Sequence, residues 1–135
     1  MRALYIADSE ATAWAEWYRH SAELGVPPQS RLPRAVYELG VHVDGIADLT
    51  APGSLARHGI RKLNPSRRQW PRTQPIGEAY FAAGRRGVLV PSAAHVEGRV
   101  LVVFRSDDVA PAGITVIGKG RIHTELPPLP TGLRT

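Results

Sequence analysis

Apolar and polar positions along the chain mark out short strand-like runs and two longer helical segments. Residues 3–7 (ALYIA) are apolar and rich in strand formers, which predicts a buried strand. Asp8 or Ser9 then offers an N-cap, with Glu10 in the first turn. Across residues 10–24, Ala11, Trp14, Ala15, Tyr18 and Ala22 recur at intervals of three and four, the spacing of one helix face, and Gly25 is a stop. Glu16 falls far from that stripe, one turn from Thr12, Arg19, His20 and Glu23, so periodicity alone places it in solvent.

Residues 36–44 alternate Leu39, Val41 and Val43 against Glu38, His42 and Asp44, the pattern of a half-buried strand. Residues 46–49 suit a short edge piece, and residues 54–58 a single helical turn closed by Gly59. A long basic stretch, residues 61–72, contains Pro65, Trp70 and Pro71 and reads as an irregular loop of the length that usually carries function. Residues 73–83 predict a second helix with Pro75 near its first turn, Ile76, Ala79, Tyr80 and Ala83 on its apolar face, and Gly84 as its stop. Residues 87–90 read as a buried strand. Residues 99–105 (RVLVVFR) are apolar on both faces, as a central strand is. Residues 114–117 and 122–124 form the last strands, with Gly118-Lys119-Gly120 as the turn between them, and the proline-rich tail from Pro127 lies on the surface. Two helices and five to seven strands, not strictly alternating, define an α+β fold in one domain.

Composition narrows the chemistry. A chain of 135 residues is long enough to bury a core without a covalent or metal staple. The absence of cysteine excludes disulfides, thiolate metal sites and a thiol nucleophile, and fits a reducing cytoplasm. No stretch suits a signal peptide or a membrane span, so a cytoplasmic protein without membrane contact is expected. Charge is uneven: residues 1–50 hold four Arg/Lys against seven Asp/Glu, whereas residues 51–135 hold thirteen against five. Arg57, Arg61, Lys62, Arg67, Arg68 and Arg72 follow one another with no acid between Leu49 and Gly77, a block that attracts phosphates, nucleic acid or an acidic protein. The five histidines are scattered without metal-ligand spacing, and no metal site is expected. There is no dinucleotide or Walker glycine loop, and Ser92 is not in a nucleophile elbow.

Ser92 still stands out. The run Gly87-Val88-Leu89-Val90 stops at Pro91, which has no backbone donor and a fixed φ, so strand pairing ends and a hydroxyl follows at the sheet rim. That hydroxyl either faces a ligand or satisfies its own turn backbone.

Four segments together resemble one known family. Leu4-Tyr5-Ile6-Ala7 with Glu10-Ala11-Thr12-Ala13-Trp14-Ala15-Glu16 resembles the "LYxA…ETAxAE" segment of RES-domain proteins. Ser66 to Pro71, Gly77-Glu78-Ala79 and Gly87 to Ala93 resemble that family's second half. The likeness spans about residues 3 to 105. It implies an ADP-ribosyltransferase-like split β-core around a cleft that binds NAD⁺. It further implies a toxin of a bacterial toxin–antitoxin pair that cleaves the nicotinamide–ribose bond by hydrolysis or phosphorolysis. In that reading NAD⁺ is substrate, there is no resident cofactor, and a cognate antitoxin blocks the cleft and carries any contact with nucleic acid. A homodimer is compatible with it. By position, the family glutamate falls on Glu16 and the family serine on Ser92, and Tyr5 matches an aromatic near the nicotinamide side. The family arginine lies upstream of the first strand, and Arg2 does not occupy its place, so the likeness runs without the family's N-terminal segment.

The chemistry is consistent with a single carboxylate. Breaking the nicotinamide–ribose bond builds positive charge on the ribose. Neutral nicotinamide leaves without a general acid, so one acid, Glu16, suffices to stabilise the cation. Arg61, Lys62, Arg67 and Arg68 are the candidates for the pyrophosphate, the arginines more so because their fork matches phosphate. Two other readings stand beside this one: an inactive RES-like module that only binds its antitoxin, and a basic nucleic-acid-binding domain.

Overall fold

A computed structural model of the protein describes residues 2–60, 70–105 and 112–133. In chain order it contains β1 (Arg2–Ala7), α1 (Glu10–Leu24), β2 (Arg34–Val41), β3 (Ile46–Asp48), α2 (Trp70–Ala82), β4 (Gly87–Pro91), β5 (Arg99–Arg105) and β6 (Ile114–His123). The β-structure is split. One sheet has the order β1-β5-β4-β3, and β2 and β6 pair separately as a two-stranded ribbon. β5 runs antiparallel to both neighbours and is interior, as its two apolar faces require, while β3 sits at the edge, parallel to β4.

Helix α1 begins and ends where its local chemistry dictates. The Ser9 side chain accepts the Thr12 N–H at 3.1 Å and caps the first turn. Gly25 adopts φ 68, a left-handed conformation open to glycine, and the N–H groups of Gly25 and Val26 return to the carbonyls of Ala22 and Ser21. Helix α2 covers one face of the larger sheet. Its Ile76 and Tyr80 pack on the buried cluster of Ala47, Leu49, Val88 and Phe104, and the Phe81 ring meets Phe104 edge to face at 5.8 Å.

Three elements differ from expectation. Helix α2 starts at Trp70, so the last three residues of the anticipated basic loop are helical. Pro71 in a first turn forfeits no intrahelical bond, and Pro75 is accommodated further in at the loss of one. Strand β2 runs over Arg34–Val41, because Arg34 and Ala35 find partners in His123 and Ile122, which local alternation does not reveal. Gly118-Lys119-Gly120 is no hairpin turn. It lies inside the continuous ten-residue β6, where Val36 pairs with Arg121 and Glu38 with Ile117, leaving three residues opposite Tyr37. The Tyr37 ring covers Gly120, where a Cβ would come within 2.4 Å of it. Among the described residues no helix is long and apolar enough to cross a membrane.

Candidate active site

The two faces of α1 meet different surroundings. Trp14, Ala15 and Trp17 are buried, as the apolar stripe requires for the first two. The opposite face, expected in solvent, carries Thr12, which is fully buried, and Glu16, which is half-buried. Both point at the connection between β4 and β5, residues 92–98. That loop closes at its neck through the Ser92 N–H on the Gly98 carbonyl at 2.8 Å, with a turn between Gly98 N–H and the His95 carbonyl at 3.1 Å.

Ser92 is 1% exposed and its hydroxyl is saturated. It donates to Glu16 Oε1 at 2.7 Å and accepts the N–H groups of Ala94 at 3.1 Å and His95 at 3.0 Å. A hydroxyl has one proton and two lone pairs, and all three are used. Of the two sequence readings of this serine, the structure shows the turn: the hydroxyl satisfies its own turn backbone and gives its proton to the helix acid. Oε1 of Glu16 is fixed by this bond, and Oε2 has no partner among the described residues.

A second fastening lies one helical turn earlier. Thr12 Oγ1 and His95 Nδ1 are 2.9 Å apart, and His95 Nε2 is 2.8 Å from the Thr131 carbonyl. A carbonyl only accepts, so Nε2 carries a proton, and Nδ1 and the threonine hydroxyl share the other hydrogen bond. Thr12 Oγ1 in turn accepts from Ser9 at 3.0 Å. Gly98 permits this approach, since a Cβ there would stand 2.5 Å from Thr12 Oγ1. At the start of α1, Arg99 pairs with Asp8 at 3.6 Å. Burial pushes the Asp8 carboxyl up, but hydrogen bonds from Thr12 and Arg99 outweigh it and hold the group below its ordinary range.

The structure thus brings Glu16 and Ser92 together. Tyr5 is 71% exposed on the edge strand β1, opposite Val102, and no hydrogen bond or ring contact joins it to the pair among the described residues. Arg61, Lys62, Arg67 and Arg68 lie outside the described residues. A hollow of about 230 Å³ opens beside Pro91, lined by Leu49, Thr50, Leu55, Ala56 and Ile60, but neither Glu16 nor Ser92 lines it. Sequence reasoning missed Thr12, His95 and Gly98. Their only signal was spacing: Thr12 and Glu16 are four apart on a helix, Ser92 and His95 three apart in a turn, so each pair presents one face.

Comparison with known proteins follows the same residues. No curated protein matches the sequence. Among solved structures, the chain is similar to one in the crystal structure of the M. tuberculosis MbcT–MbcA toxin–antitoxin complex, with a TM-score of 0.74 and 25% sequence identity. That likeness covers 90% of this chain and 66% of the other, so the chain spans just under two thirds of its neighbour's length. The family model of the RES domain matches residues 1–127, which include β1, α1 and the loop that presents Ser92. The chain belongs to the RES domain family.

Proposed function

We propose that the protein is a RES-type toxin that cleaves the nicotinamide–ribose bond of NAD⁺, with water or phosphate as acceptor, and that a cognate antitoxin neutralises it. Membership of the RES family and likeness to a chain of a toxin–antitoxin complex support the toxin role. The single observation that carries the chemistry is the carboxylate of Glu16, held at one oxygen by a buried hydroxyl and unpartnered at the other among the described residues.

In this reading the bond between ribose C1′ and the nicotinamide nitrogen breaks, and its electron pair leaves with nicotinamide, which becomes neutral. Positive charge develops on the ribose, and Glu16 Oε2 stabilises it directly or through a ribose hydroxyl. The acceptor oxygen then bonds to C1′, and the proton that the water or phosphate gives up passes to solvent. Ser92 does not react. Its proton holds Oε1, so the carboxylate needs little reorientation as charge develops. Arg61, Lys62, Arg67 and Arg68 are the candidates for the pyrophosphate.

Incubating the purified chain with NAD⁺ and measuring nicotinamide release tests the proposal, and the companion product, ADP-ribose or its phosphate ester, tells hydrolysis from phosphorolysis. Glu16→Gln lowers turnover by about 10²-fold or more, as loss of one preorganised stabiliser does.

A further inference from the structure

We infer that His95 is a positioning residue for the Glu16–Ser92 pair, pinning loop 92–98 to helix α1 on one side and to the C-terminal tail on the other. This rests on the reading of Glu16 as the acid of the site.

The loop is short of intrinsic constraint. It carries Glu97 at φ 65, a left-handed conformation that non-glycine residues adopt rarely, and its own backbone bonds are the Ser92–Gly98 closure at the neck and the Gly98–His95 turn. Ser92 cannot keep its aim if the turn that feeds it two N–H groups opens. One of those groups belongs to His95 itself. The same residue's ring bridges Thr12, a turn before Glu16 on α1, and the Thr131 carbonyl. A further contact makes the tail a strap: the Val96 N–H donates to the Gly132 carbonyl at 2.8 Å, within the antiparallel bridge of His95 with Leu133. Gly132 lies 3.5 Å from the His95 ring at the position of a Cβ. These tail residues fall beyond residue 127, where the RES family match ends. The ring thus links the family's glutamate helix to a segment outside the family match, and its two nitrogens fix both at once. Ring and hydroxyl act as two fastenings one turn apart, so the loop cannot pivot about the Ser92–Glu16 bond alone.

The test measures amide hydrogen exchange and steady-state NAD⁺ turnover on the full chain carrying His95→Ala. The N–H groups of positions 94 and 95, both bonded to Ser92 Oγ, exchange about tenfold faster than in the wild type, the equivalent of one lost hydrogen bond, while β1 and β5 amides keep their rates. Turnover falls about tenfold in kcat with KM little changed, because aim and not affinity is lost. In a Ser92→Ala background His95→Ala adds less than about twofold, as two residues acting through one path do, whereas an unrelated structural defect would add in full. Thr12→Val, with rescue by Thr12→Ser, breaks the same link and serves where His95→Ala does not fold. Unchanged exchange at positions 94 and 95, or kcat within about twofold of wild type, overturns the inference. If the wild type releases no nicotinamide, the NAD⁺ reading has failed and the exchange rates alone decide the role of His95.

Discussion

Helix α1 is buried on two faces by opposite means. On one, Trp14 and Trp17 meet edge to face at 5.2 Å, Trp14 packs against His123 at 5.0 Å, and Arg31 lies over the Trp17 ring. On the other, Thr12 and Glu16 engage loop 92–98 through directed bonds of 2.9 and 2.7 Å. The aromatic face gains from area and tolerates changes of shape that keep volume. The polar face offers little apolar area, and its directed bonds fix where an oxygen points. Polar groups buried on a helix without partners would destabilise the fold, so a polar face whose buried hydroxyls are paired marks a place where orientation matters.

Substitutions can break this contrast, and the largest effects on stability belong to the aromatic face. Trp17→Ala destabilises the fold by about 3–5 kcal/mol by chemical denaturation, the cost of an emptied aromatic site. Trp17→Phe costs much less, since the buried indole N–H has no hydrogen-bond partner among the described residues to lose. Gly98→Ala costs about 1–3 kcal/mol, because its Cβ would lie 2.5 Å from Thr12 Oγ1 and 2.9 Å from His95 Nδ1. It lowers NAD⁺ turnover as well, which the tryptophan variants that remain folded do not. If Trp17→Phe and Gly98→Ala reduce turnover equally, the two faces do not differ in kind.

The smallest effect is electrostatic. The Arg121 hydrogen bond is the main reason the Glu10 carboxyl is held below its ordinary value of 4.5, with Trp14 and His123 assisting and slight burial opposing. A depressed folded-state value contributes stability above the unfolded value and loses it as pH falls through the folded one. The acid limb of melting temperature against pH therefore starts below about pH 4.5 and is shallower in Arg121→Ala. An unchanged limb would show that this exposed pair contributes nothing.

Much of the fold was legible in the sequence because its signals are local. The Ser9 cap, the Gly25 stop, the two-faced apolar run of β5 and the halt at Pro91 each act within a few residues. Glu16 was misplaced by periodicity for the opposite reason. Its partner lies 76 residues away, and a helical wheel carries no information about a polar face that meets a loop. Family resemblance singled out the pair, and the structure then brought the two side chains within hydrogen-bonding distance. Thr12 stands inside the motif and His95 outside it, yet neither was singled out, because what matters is a contact between residues 83 apart. The glycines of β6 misled because Gly-Lys-Gly suits a turn and a bulge alike, and only the Tyr37 ring across the ribbon decides between them.

The central claim is that the Glu16 carboxylate, oriented by Ser92, performs the chemistry. Nicotinamide release from NAD⁺ by the wild-type chain and by Glu16→Gln, at matched folded concentration, tests it most directly. The account predicts steady release by the wild type and a rate lower by about 10²-fold or more in the variant. Equal rates from the two proteins would contradict it.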